Sequence, residues 1–302
     1  MTGEPAISVQ GLVKRYGDLT AVDGVSFEVA RGEFFGLLGP NGAGKTTTLE
    51  MVEGLRRPDA GTVSLLGESP WPRNVRLLPR MGVQLQASAF FEKLSAREQL
   101  ATFGALYGVG RARVEEMLEL VGLADKAATS EEKLSGGQRQ RLSIACALVH
   151  DPELVFFDEP TAALDPQARR NLWDVLRAVQ ARGTTVVYTT HYLDEAEHLC
   201  DRVAVLDDGR IIAMDSPAAL VRGLHADTQV ALPSGALSVA EAHRLPGVGS
   251  VHESAAEVVL RTAQPAVLLQ ALAQQDRLTG VSVRTATLED VFLHLTGREY
   301  RA

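Results

Sequence analysis

Eight consecutive residues, Gly39-Pro40-Asn41-Gly42-Ala43-Gly44-Lys45-Thr46, fit the spacing G-x-x-x-x-G-K-[ST] at every fixed position. Glycines let a backbone wrap closely around phosphate oxygens, and successive N–H groups then point inward. A helix starting at Lys45 adds positive potential from its N-terminus. Lys45 is predicted to reach the β- and γ-phosphates of a nucleotide. The Thr46 hydroxyl is placed to bind Mg²⁺, and Thr47 to touch a phosphate. A Gly-rich turn before a helix could arise for structural reasons alone, but an apolar strand precedes this one and a breaker-free stretch follows it.

Asp158 and Glu159 end a second apolar run, residues 154–157. Acids at the carboxyl end of a buried strand emerge where ligands of α/β folds bind. Asp158 is predicted to hold Mg²⁺ through water, and Glu159 to polarise an attacking water. A positioned base of this kind contributes on the order of 10²–10⁴-fold to rate. Between these sites lies Leu134-Ser135-Gly136-Gly137-Gln138-Arg139-Gln140. It too opens a helix, and Ser135 and the glycine amides offer neutral donors there. One nucleotide rarely needs two γ-phosphate sites. Two-fold symmetry resolves the excess if each such segment faces the phosphate loop of a second copy.

The elements that must carry these residues are legible from pattern. Strands are expected at residues 6–16 and 25–29 about a Gly17-Asp18 turn, and at 33–38, 61–67 and 80–85. A helix follows Gly44 over residues 45–53. Residues 95–121 turn helical in period, with Ser95 and Glu98 spaced as a capping box. A further helix runs from Gly136 to about His150. Strand and helix then alternate at 154–157, 167–181, 184–189, 194–199 and 203–206. Such alternation implies a parallel sheet covered by helices on both faces. Beyond Arg222 the phosphate chemistry stops. The order there reads strand 228–232, helix 239–245, strands 248–252 and 257–261, helix 265–274 and strand 280–284, the split βαβ of ferredoxin-like domains. A last helix, 288–296, closes the chain.

Together these motifs, in this order, make residues 6–222 resemble a complete ATP-binding cassette ATPase. The resemblance implies a P-loop α/β fold: a RecA-like core, an antiparallel β subdomain and a helical subdomain at about 87–150. A small α+β domain, 223–302, follows in a regulatory or dimerising role. It implies ATP and Mg²⁺ as cofactors and ATP hydrolysis as the reaction. Tyr16 resembles the aromatic that stacks on adenine. Gln86 resembles the loop glutamine that joins Mg²⁺ to a membrane partner; Gln84 is near, but the distance to Leu94-Ser95 favours Gln86. Ala163-Leu164-Asp165 resembles the loop that crosses the dimer interface, with Ala163 where the family often has Ser or Gly. His191 resembles the switch histidine that contacts the γ-phosphate. The tail, Thr287-Leu-Glu-Asp-Val-Phe-Leu293 with Leu295-Thr-Gly-Arg298, resembles the ending of ATPases of the type-two exporter group, which includes daunorubicin-type drug exporters.

Bulk properties are consistent with that class. The chain has 302 residues, 45% hydrophobic and 23% charged, ordinary for a globular protein. A net charge of −8 argues against a general nucleic-acid binder. No apolar run approaches the roughly 18 residues that span a bilayer, and the start of the chain does not have the pattern of a signal peptide. An integral membrane permease is therefore expected as a separate subunit handling a small-molecule or lipid-like cargo. A homodimer of this chain is expected at the cytoplasmic face of the membrane. The two cysteines, Cys146 and Cys200, read as buried free thiols. The rival reading is a cassette ATPase acting in translation or DNA maintenance. Such proteins usually carry two cassettes or a long coiled coil, and neither pattern is present.

Overall fold

A computed structural model describes residues 4–84, 90–162, 164–224 and 226–297. The first unit, residues 1–217, opens with a hairpin of β1 (Ile7–Tyr16) and β2 (Leu19–Val29). Then follow β3 (Phe34–Leu38), α1 (Lys45–Val52), β4 (Ala60–Leu65) and β5 (Met81–Gln84). Next come α2 (Ala96–Ala105), α3 (Arg111–Leu120), α4 (Gly136–Leu148), β6 (Leu154–Asp158) and α5 (Pro166–Ala181). β7 (Thr185–Thr190), α6 (Leu193–Leu199), β8 (Arg202–Asp207) and β9 (Arg210–Asp215) complete it.

Six strands form the central sheet in the order β5-β6-β7-β3-β8-β9. All neighbours are parallel except β8 and β9. Every residue of β3, β6 and β7 is buried, as expected for continuous apolar runs covered on both faces. Register brings Leu38 opposite Thr190, and Asp158 opposite Thr189. The ends of three adjacent strands therefore lie side by side. A second, antiparallel sheet, β2-β1-β4, shares its core with the first: Ile7, Val9, Phe27, Leu49, Phe156 and Val187 belong to one apolar cluster.

The helical stretch 95–121 divides at residues 106–110, where Gly108 takes φ +70° and separates α2 from α3. Ser95 accepts from Glu98 N–H in the expected capping box. α5 starts with Pro166 and buries Leu172, Val175, Leu176 and Val179, one stripe of an amphipathic helix. Strand β9 falls outside the pattern-based expectation because its alternation is weak: every residue is half-buried or exposed. Cys200 is buried, whereas Cys146 is only half-buried; both thiols are free, and burial pushes Cys146 up to about 12.

The second unit spans residues 218–300. The division falls before Arg222, inside α7 (Pro217–Gly223). Its strands are β10 (Thr228–Pro233), β11 (Ser250–Glu253), β12 (Glu257–Thr262) and β13 (Ser282–Arg284). They form an antiparallel sheet in the order β11-β12-β10-β13. α8 (Val239–Ala242) follows β10 and α9 (Pro265–Gln274) follows β12, a split βαβ order. Helix α8 is one turn rather than the seven residues expected, and the chain leaves it before Pro246. Leu232, Leu237, Leu260, Leu268 and Leu272 make a separate core. α10 (Leu288–Thr296) ends at Gly297 in a left-handed cap. Among the described residues no helix is long and apolar enough to cross a membrane.

Candidate active site

The loop after β3 is shaped by close backbone packing. A Cβ at Gly39 would sit 2.4 Å from Leu206 O, and one at Gly44 2.5 Å from Ala21 O. Gly44 also takes φ +96° as the residue before α1, and no side chain caps that helix. Its first amides therefore have no side-chain cap among the described residues, the arrangement a phosphate loop needs. Asn41 and Gly42 are exposed at the tip, while Pro40 and Thr47 are half-buried.

Lys45 is only 4% exposed. Its ammonium donates to Gly39 O at 2.9 Å and Pro40 O at 3.2 Å, and lies 3.1 Å from Glu159 Oε1. Glu159 also sits 3.1 Å from His191 Nδ1 through its other oxygen. Burial alone would raise the Glu159 carboxyl, but Lys45 and His191 outweigh it and hold the group below its ordinary value. The expected base is thus ionised and already next to the expected switch histidine. Asp158 moves the other way. Burial raises it, Glu159 adds to the rise, and hydrogen bonds from Thr189 and Thr46 oppose it.

Thr189 is a site residue that pattern reading did not single out. Its hydroxyl donates to Asp158 Oδ1 at 2.5 Å and accepts from Glu159 N–H at 2.9 Å. The Glu159 N–H also points at Thr189 O, 3.2 Å away. This matters because Glu159 takes φ +44°, a conformation that costs a non-glycine residue about 1–3 kcal/mol. The one available signal was position: in a parallel pair, the residue before Thr190-His191 must lie beside Asp158. Thr46 Oγ1 lies 3.3 Å from Asp158 Oδ1. A hydroxyl and a carboxylate side by side are oxygen donors of the kind Mg²⁺ takes, with phosphates and waters completing the shell.

A cleft of about 280 Å³ beside this cluster is lined by Gln84, Gln140, Asp158, Glu159 and Leu164. Gln84 is 2% exposed and ends β5 here. Gln86, the residue expected to reach the metal, lies outside the described residues, as does Ala163.

Gly136 also lines the cleft beside Asp158 and Glu159, while its neighbours cap helices. Ser135 and Gln138 form a reciprocal cap at the start of α4: Ser135 N–H donates to Gln138 Oε1 at 2.9 Å, and Gln138 N–H to Ser135 Oγ at 3.3 Å. Asp165 caps α5, accepting from Gln167 and Ala168 N–H at 3.0 and 2.9 Å. The two caps face each other across a groove of about 460 Å³ that holds Ser135, Gly136, Gly137, Gln138 and Asp165 but no phosphate-loop residue. Tyr16 is 41% exposed, with the Arg56 guanidinium 5.5 Å and the Lys14 ammonium 5.8 Å from its ring centre.

A phosphate loop at the end of a central parallel strand, backed by an acid pair and a histidine on its neighbours, defines a P-loop ATPase. Comparison with known proteins narrows the class. Residues 22–162 match the ABC transporter family, and residues 237–297 match the C-terminal domain of the nodulation factor export protein NodI. The Nod factor export ATP-binding protein I of Paraburkholderia xenovorans (strain LB400) is 44% identical, covering 98% of both chains. The daunorubicin resistance ATP-binding protein DrrA3 of Streptomyces coeruleorubidus is 40% identical over 99% of this chain and 98% of its own. The linearmycin resistance ATP-binding protein LnrL of Bacillus subtilis (strain 168) is 35% identical over 98% of this chain and 99% of its own. Among solved structures, cbiO1 of Clostridium perfringens, part of an ABC transporter complex, has a TM-score of 0.66 at 28% identity, covering 74% of this chain and 95% of that one. The chain belongs to the ATP-binding cassette family, among the ATPase subunits of type-two exporters. These relatives are named for export or resistance, which sets aside the reading in translation or DNA maintenance.

Proposed function

We propose that two copies of this chain clamp two Mg·ATP between them and drive a separate membrane permease, at the cytoplasmic face of the membrane. One observation carries the symmetry. Ser135, Gly137, Gln138 and Asp165 line a groove without a phosphate-loop residue among those described, which supports their serving a nucleotide on another copy. Within one copy, Lys45 and the loop amides bind the β- and γ-phosphates. Thr46 and Asp158 hold the metal, which neutralises phosphate charge when bound. Glu159, ionised and strained into place by Thr189, orients the attacking water and takes its proton. An arriving γ-phosphate competes with Glu159 for Lys45, which frees the carboxylate for that role. His191 contacts the same phosphate. Binding favours the closed pair because only there does ATP touch both copies.

The permease is read from an apolar groove of about 430 Å³ between α2, α4 and β5. Leu78, Met81, Val83, Phe103, Leu106 and Ala147 line it. Leu106 and Leu55 expose 75% and 58% of their surface at its edges. Exposed apolar side chains around a concave site support a docking surface there. The relatives' names support a cargo that is a small antibiotic-like or lipid-like molecule, selected by the permease. To test the reading, the Glu159→Gln variant is loaded with ATP and Mg²⁺ in its native cells and recovered from gently solubilised membranes. A stoichiometric protein with several membrane spans is expected. Recovery with ribosomal or DNA-bound proteins instead would overturn it.

A further inference from the structure

Among the polar side chains in the apolar groove, which include Tyr107, Ser143 and Cys146, are Glu53, which follows the last turn of α1, and His150, beyond α4. Glu53 is 7% exposed, and its Oε1 has no hydrogen-bond donor among the described residues. The charges acting most strongly on it, Asp158 and Glu50, are both acidic. The nearest candidate cation in sequence, Arg56, is committed to Glu50 at 2.5 Å. Arg73 lines a neighbouring cleft that Glu53 also borders, without an ion pair between them among the described residues. His150 Nε2 lies 3.0 Å from Met81 O. A carbonyl only accepts, so the proton sits on Nε2 and Nδ1 presents a lone pair. That Nδ1 is buried and has no partner among the described residues. Its ring is fixed by stacking on Tyr107 at 4.0 Å, and burial, the largest influence, lowers its basicity.

The groove therefore combines apolar walls with a carboxyl oxygen, Glu53 Oε1, and a ring nitrogen, His150 Nδ1, that have no hydrogen-bond partner among the described residues. An entirely apolar occupant would leave both groups unsatisfied, which costs free energy. An acidic one would meet the Glu53 carboxyl. We propose that the permease segment seated in this groove is an apolar helix carrying one cationic side chain, arginine or lysine, that docks against Glu53. This inference rests on the permease reading and specifies the chemistry of that same surface. A cation there also answers the cost of the buried carboxyl, which burial, Asp158 and Glu50 push up to about 8. Docking thus returns Glu53 to its ionised form.

The test places a photo-crosslinking residue at Leu106, exposed at the groove's edge, in the full-length chain in native membranes. The joined segment is identified by mass spectrometry. The expected product is an apolar stretch of a multi-span membrane protein containing Arg or Lys. Its yield should fall about tenfold in Glu53→Gln, the loss of one charge-assisted hydrogen bond. Glu53→Lys should abolish it, and replacing the mapped basic residue with Glu should restore it. A membrane-protein segment without a basic residue, or one indifferent to Glu53→Gln, overturns this inference while permease docking stands. Cross-links confined to proteins without membrane spans, or none at all, overturn the docking reading itself.

Discussion

Glu53→Gln should stabilise the protein at pH 8 and leave it nearly unchanged near pH 5. Burial is the main cause of the perturbation, with Asp158 and Glu50 adding to it, and together they raise the carboxyl from 4.5 to about 8. The folded chain therefore keeps a proton that the unfolded chain releases. The stability of the wild type is fully present below 4.5 and is lost as pH rises through 8. At about 1.4 kcal/mol per pH unit, that interval sets an upper bound of about 5 kcal/mol. Relaxation and water entry reduce such values, so about 2 kcal/mol is expected. For a unit of this size that is roughly 4–8 °C in Tm. Glutamine keeps the shape, never ionises, and escapes the loss. Both tryptophans, Trp71 and Trp173, lie in the first unit, so their fluorescence follows its unfolding. Wild type and variant would be melted at half-unit steps from pH 6 to 8.5. A difference that grows with pH agrees with an unpartnered buried carboxyl. A constant difference, or a variant less stable throughout, would show that Glu53 is a satisfied ion and would remove the basis for the docking inference.

Three further outcomes are expected. Glu159→Gln should bind ATP, lose about 10²–10⁴-fold in turnover, and accumulate as an ATP-stabilised dimer in light scattering; wild-type turnover would exclude Glu159 as the base. Ser135→Arg should leave ATP binding to the single chain intact and prevent dimerisation of the Glu159→Gln background, whereas normal dimers would refute the two-copy reading. Arg169 reaches from α5 to stack over the Tyr192 ring at 4.4 Å and lies 3.9 Å from Glu195, next to the His191 loop. Arg169→Ala should lower kcat severalfold with KM for ATP unchanged; a rise in KM alone would mean that it acts in binding.

The amino-acid sequence by itself determined the chemistry. Gly39 to Thr46, Asp158, Glu159 and His191 are recognisable because each motif is local: a loop and its helix, or a strand and its last residues. The strands of the parallel sheet were equally legible, since a segment buried on both faces is apolar throughout. Strand β9, which is nowhere fully buried, and the single-turn α8 were not, because their patterns are short or weak.

Only the tertiary structure decided how these pieces meet. Thr189 becomes a site residue through its register opposite Asp158, a pairing 31 residues apart that no local window contains. Whether Glu159 is ionised depends on Lys45 and His191 arriving from two other elements. Glu53 reads along the chain as an ordinary polar residue after α1. It becomes a buried, unanswered carboxyl only when the chain closes over it and brings Asp158 near. Spacing specifies which groups are present, but burial and long-range neighbours set their charge, because the cost of a charge depends on everything packed around it.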